Sequence, residues 1–80
     1  MKITVLFFGI TTDLIQRSVL ELTITEGSNV ADFRKQLQTD YPQLSNLNTY
    51  AIALNEEYTS GDEVIHQNDT LAVIPPVSGG

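Results

Sequence analysis

The chain has 80 residues, 41% of them hydrophobic and 18% charged, with a formal net charge of −6 and no cysteine. This composition suits one small folded domain and excludes disulfides, zinc–thiolate sites and thiol catalysis. The acidic balance disfavours nucleic acid, which needs a basic footprint, and every apolar run is far shorter than the roughly 20 residues of a membrane span.

Residues 2–8 are β-branched and aromatic and predict a strand, with Ile3, Val5 and Phe7 on one face and Thr4, Leu6 and Phe8 on the other. Both faces turn apolar towards the end, which predicts a central strand or one whose second face meets something. The stretch carries a single Lys2 and no small-residue cleavage site, so it does not resemble a signal peptide. Gly9 breaks the strand, and residues 11–17 form a polar connection with room for a helical turn. Residues 18–25 predict a second strand, with Leu20, Leu22 and Ile24 inward and Val19, Glu21 and Thr23 outward.

Residues 26–29 form a turn into a helix. Asn29 suits the N-cap, and Asp32 is placed to complete a capping box. Val30, Phe33, Leu37 and Tyr41 make one apolar stripe at helical spacing, and Pro42 stops it. Residues 44–49 are expected to be a loop, and residues 50–55 a third strand. Residues 55–57 form a tight turn, residues 58–59 a short fourth strand, and residues 60–63 and 67–69 further turns. Residues 70–74 are the last strand, ended by Pro75-Pro76. The expected class is α+β, one main helix packed on a mixed sheet of about four to five strands, in a domain spanning residues 1–74. Residues 75–80 form an extended tail, loose in the free protein because glycine has the most backbone freedom.

Charge is unevenly divided. All four cations (Lys2, Arg17, Arg34, Lys35) lie in residues 1–35, whereas residues 36–80 hold six acids: Asp40, Glu56, Glu57, Asp62, Glu63 and Asp69. A partner that is basic opposite this half, or plain solubility, accounts for the asymmetry. The lone histidine, His66, has no second ligand or nucleophile at catalytic spacing, so a surface position is expected. Glu56-Glu57 and Asp62-Glu63 are neighbours in turns and read as solvated rather than as an acid–base pair. The glycines before the tail stand singly at 9, 27 and 61, so no phosphate-cradling loop is present.

The tail is the sharpest feature. No side chain is charged from Thr70 onward, so these eleven residues can enter a protein pocket without desolvating a charged side chain. Pro75-Pro76 stiffens the exit, and six residues reach up to about 20 Å. Gly79-Gly80 is the slimmest thread a chain can present to a narrow pocket. With Gly80 terminal, its carboxylate is the one candidate reactive group, although a linker stub or cloning scar would also end in glycines.

Val5-Leu6-Phe7-Phe8, Ala53-Leu54-Asn55-Glu56-Glu57-Tyr58 and Leu71-Ala72-Val73-Ile74-Pro75-Pro76-Val77-Ser78-Gly79-Gly80 together resemble the small, sulfur-carrier subunit of molybdopterin synthase, a ubiquitin-like β-grasp family. The resemblance runs over essentially the whole chain, and the ending is its most specific part. Asn68-Asp69 departs from the Gly-Asp pair typical of the family, but Asn tolerates the same left-handed backbone. The resemblance implies a β-grasp fold and a cytoplasmic sulfur carrier in molybdenum cofactor biosynthesis, non-catalytic alone. It implies that Gly80 is adenylated by a ubiquitin-activating-type enzyme, converted to a thiocarboxylate, and presented to cyclic pyranopterin monophosphate in the large synthase subunit. Gly79 would give the tail access to these sites. Phe8, Tyr58, Ile74, Pro75, Pro76, Val77 and Ser78 would contact partners. Ordinary core is the alternative for Phe8 and Ile74, and Tyr58 is expected to be exposed. The resemblance further implies a heterotetramer of two small and two large subunits, no metal or cofactor held by this chain, ATP used by the adenylating partner, and no nucleic-acid or membrane partner. A carrier for thiamine or tRNA thiolation, a ubiquitin-like modifier and a plain interaction module remain the alternatives.

Overall fold

The computed structural model describes residues 1–46 and 50–76. The elements are β1 (Lys2–Phe7), α1 (Ile10–Ile15), β2 (Val19–Thr23), α2 (Val30–Asp40), a 3₁₀ helix (Pro42–Asn46), β3 (Ala51–Leu54), β4 (Glu57–Tyr58) and β5 (Thr70–Ile74). The strands form one mixed sheet in the order β2-β1-β5-β3-β4. β1 pairs antiparallel with β2 and parallel with β5, and β3 pairs antiparallel with both β5 and β4. The expected mixed sheet with one main helix is therefore present.

Alternation decides the faces, because directly paired residues point the same way. Ile3, Val5, Phe7, Ile52, Leu71 and Val73 face inward and are buried with Val30, Phe33 and Leu37 of α2. Tyr41 is partly buried against the same cluster, completing the predicted stripe. Leu20 and Leu22 also pack on the core while Val19, Glu21 and Thr23 stay exposed, as their alternation predicts. Burying a large apolar side chain contributes about 1.5–3 kcal/mol, so this helix–sheet contact is a large favourable contribution to stability.

The start of α2 leaves no backbone donor unmet. Asp32 N donates to Asn29 Oδ1 (2.8 Å) and Asn29 N to Asp32 Oδ2 (3.1 Å), the predicted capping box. The next two donors reach across space, Val30 N to the Glu63 carbonyl and Ala31 N to the Gly61 carbonyl, each at 3.0 Å. The Glu63 carboxylate in turn shapes that loop, accepting Ser60 N at 2.9 Å and Gly61 N at 2.9 Å. These hydrogen bonds, led by the one from Ser60, hold the Glu63 carboxyl below its ordinary pKa. At its other end α2 stops before Pro42, as expected. Arg34 ties the helix to the sheet by donating to the Tyr50 carbonyl (2.8 Å), its guanidinium 4.4 Å from the Tyr50 ring centroid.

The connection after Gly9 holds the helical turn it had room for, six residues long, with Thr11 fully buried. Two segments differ from the sequence expectation. Residues 42–46 form a 3₁₀ helix rather than a loop starting at Leu44, and Leu44 is 0% exposed. Proline has no N–H to lose at a helix start, and Leu44 has a core to fill, so a tight turn forms there. Glu57 belongs to β4, leaving Asn55 and Glu56 as the turn. Both have positive φ (49° and 73°), the backbone of a two-residue hairpin turn. Asn68 is also left-handed (φ 70°), as the Asn-for-Gly reading requires.

Two measurements check this account. Phe33→Ala or Leu37→Ala should lower the unfolding free energy by roughly 2–5 kcal/mol in urea titration; a negligible change would contradict the helix–sheet packing. For Glu63, a depressed folded pKa means that its stabilisation is present above the ordinary value of 4.5 and lost as pH falls through the lowered folded value. Thermal melts should therefore show wild type losing more stability than Glu63→Gln between neutral and strongly acidic pH.

Candidate functional site

The site begins where β1 and β5 end. Because the two strands are parallel, with Phe7 opposite Val73, their C-terminal ends lie side by side. Phe8 N donates to the Val73 carbonyl at 3.3 Å, closing the ladder. Pro75 has no N–H to extend it, so the tail must leave here. The buried Thr11 hydroxyl secures the junction: it accepts Phe8 N (3.0 Å) and donates to the Phe8 carbonyl, with the Val73 carbonyl 3.4 Å away. Pro75 is half-buried and Pro76 exposed.

The outer face of the sheet continues from this junction. Register places Val19, Leu6, Ala72, Ala53 and Tyr58 in one row across all five strands. Beside it lie Phe8, just past the Phe7–Val73 pair, and Ile74 opposite Ala51. All eight residues are apolar or aromatic. Phe8 is 48%, Val19 53% and Tyr58 74% exposed, Leu6, Ala51, Ala72 and Ile74 are half-buried, and Ala53 is buried between its neighbouring strands. The next row inward is polar, with Glu21, Thr4 and Thr70 in register. A shallow groove of about 280 Å³, lined by Leu6, Asn55, Glu56 and Thr70, marks that margin. The apolar band thus covers the half of the face nearest the tail, with α2 on the opposite side.

Acidic groups border the band. Glu56 and Glu57 are exposed at the β3–β4 edge, and Glu21 sits 3.9 Å from Lys2 at the other. The Asp69 carboxylate is occupied locally, accepting His66 N (2.7 Å) and Asn55 Nδ2 (3.1 Å). His66 is on the surface, 3.9 Å from Asp69. Among the described residues no group of three or more acids and histidines could hold a metal ion, and no helix is long and apolar enough to cross a membrane.

Phe8, Tyr58, Ile74, Pro75 and Pro76 therefore lie together at one end of the sheet. The core alternative fails for Phe8: it follows the strand's last buried inward residue, Phe7, and points outward. Val77, Ser78, Gly79 and Gly80 lie outside the described residues. Sequence reasoning missed Val19, Leu6, Ala53 and Ala72 as members of the band, and Thr11 as a brace of the junction between the ends of β1 and β5. Its signal was the second apolar face of the first strand; nothing local indicated which strands would extend that face.

Comparison with known proteins gives a consistent picture. The ThiS family matches residues 5–80. The molybdopterin synthase sulfur carrier subunit of Arabidopsis thaliana is 35% identical over 81 residues, covering 100% of this chain and 84% of that protein. Among solved structures, SAMP1 from Haloferax volcanii superposes with a TM-score of 0.87 at 21% identity, with both chains fully covered, a likeness of fold. The complex of subunits 1 and 2 of the molybdopterin-converting factor from Helicobacter pylori contains a chain with TM-score 0.72 at 27% identity, covering 100% of both chains. The fold is that of the ubiquitin-like β-grasp sulfur carriers. With its whole length matched in sequence and its strands in the same arrangement, this chain belongs to the ThiS family, among the molybdopterin synthase sulfur carrier subunits.

Proposed function

We propose that this chain is a sulfur carrier of molybdenum cofactor biosynthesis, working through the carboxylate of Gly80 and docking through the apolar outer face of its sheet. The observation that carries this reading is the whole-length likeness to a relative named a molybdopterin synthase sulfur carrier subunit. The joined position of the apolar band and the tail root supports it, because a partner seated on the band would meet the tail as it leaves.

The chemistry follows from the weakness of a carboxylate as an electrophile. A Gly80 carboxylate oxygen attacks the α-phosphorus of ATP in an adenylating enzyme of the ubiquitin-activating type, releasing pyrophosphate and leaving an acyl-adenylate. A sulfur donor displaces AMP, and the resulting thiocarboxylate carries the sulfur. In the large synthase subunit that sulfur bonds to cyclic pyranopterin monophosphate, water cleaves the acyl carbon–sulfur bond to restore the Gly80 carboxylate, and two such transfers supply the two sulfurs of the dithiolene. This chain supplies no catalytic side chain. Its part is to bind through an apolar face and to offer an uncharged thread whose only anion is terminal. ATP belongs to the adenylating partner, and a heterotetramer of two small and two large subunits in the cytoplasm completes the reading.

An H. pylori neighbour described as a complex of two converting-factor subunits supports a large-subunit partner. Carriers for thiamine or tRNA thiolation share the terminal chemistry, and a modifier would also use Gly80. The acceptor separates these alternatives.

Incubation with the adenylating enzyme, ATP and a sulfur donor should change the intact mass by one oxygen-to-sulfur exchange, and deletion of Gly80 should abolish that change without altering the melting temperature. Transfer only to tRNA or a thiazole precursor, or covalent ladders on cellular proteins, would overturn the molybdopterin assignment. Tyr58→Ala should weaken binding to the large subunit by at least about tenfold in calorimetry, in line with an interface aromatic worth roughly 1–2 kcal/mol or more. Unchanged affinity would remove the outer face from the interface.

A further inference from the structure

Gly9 has a backbone that other residues avoid, with φ 55° and ψ −134°. This conformation turns the chain from β1 into α1, so that Thr11 N reaches the Phe8 carbonyl and Thr12 N the Gly9 carbonyl, each at 3.1 Å. A turn alone would explain a glycine. A second constraint is independent of the first: a Cβ at residue 9 would stand 3.0 Å from Pro75 Cγ and 3.8 Å from Pro75 Cδ. Pro75 is the first residue beyond β5, so its ring rests over the bare Cα of Gly9 as the tail leaves the sheet. Thr11 braces the same junction from beneath, bonding both Phe8 backbone groups.

We propose that Gly9 is a positioning residue for the reactive tail: its missing side chain opens the seat in which Pro75 rests, and that seat sets the direction in which the tail leaves the sheet. This rests on the carrier reading above. A fixed exit matters because the far end must enter a narrow site, and small misplacement at an anchored root grows along the thread. Misplacement on the order of 1 Å lowers rates as much as 100-fold when reacting groups must be aligned. The docking band lies on the neighbouring strands, so the seat should govern alignment more than binding.

The test is a double-mutant cycle read by ATP–pyrophosphate exchange with the adenylating enzyme, on variants whose folding is checked by circular dichroism. Gly9→Ala should lower kcat roughly 10- to 100-fold with KM changed by less than about threefold. Pro75→Ala should lower kcat similarly, because it removes the seated ring. Adding Gly9→Ala to Pro75→Ala should then cost clearly less than Gly9→Ala costs in the wild-type chain, since the close Pro75 Cγ is gone and only the backbone strain at residue 9 is left. Multiplying losses would mean that backbone strain at residue 9 acts alone, which overturns the proposal, as does unchanged kcat in either single variant. If Gly9→Ala fails to fold, Pro75→Ala alone decides: wild-type kcat overturns the seat, and reduced kcat at unchanged KM supports it. Absence of exchange with the wild-type chain would instead count against the carrier reading itself.

Discussion

The parallel pairing of the first strand with the last organises the molecule. β1 and β5 occupy neighbouring central positions in the sheet and run in the same direction. Their C-terminal ends therefore coincide, which places the turn after Phe8 beside the exit of the tail. An antiparallel pairing would have put Phe8 and Pro75 at opposite ends. Parallel neighbours need a long crossover, and here it holds α1, β2, α2, the 3₁₀ helix, β3 and β4. Within it α2 packs on one face of the sheet and not on the other.

The two faces divide the work. The inner face is filled by α2, whose first turn is fully bonded through its own capping box and through the carbonyls of Gly61 and Glu63. The outer face carries an apolar band at the tail end and polar residues farther back. Stability and recognition thus use opposite sides of the same strands. Val5 and Leu6 are adjacent in the chain yet serve the core and the band, because alternation sends them to different faces.

Much of the local structure was legible in the residue order. Asn29 and Asp32 announce a capping box, the Val30–Phe33–Leu37 spacing announces a core-facing helix, and Asn68 stands where a left-handed backbone is needed. These depend on residues within one or two turns of each other. The errors share the opposite property. Leu44 seemed to lie in a loop because its partners are distant in the chain, and the burial of Thr11 was not legible because the backbone groups it bonds include a strand end remote in sequence. The band joins residues from 6 to 74, and no short window of sequence contains them.

The sequence by itself determined the alternation of the strands, the capped helix, the uncharged approach to two glycines and the family to which the chain belongs. These follow from local sterics, spacing and motif. Only the tertiary structure decided that Phe8, Tyr58 and Ile74 share one outer band with Leu6, Val19, Ala53 and Ala72, and that Pro75 rests on Gly9. The reason is register: which residues of distant strands stand opposite one another is fixed by the packing of the whole sheet under its helix.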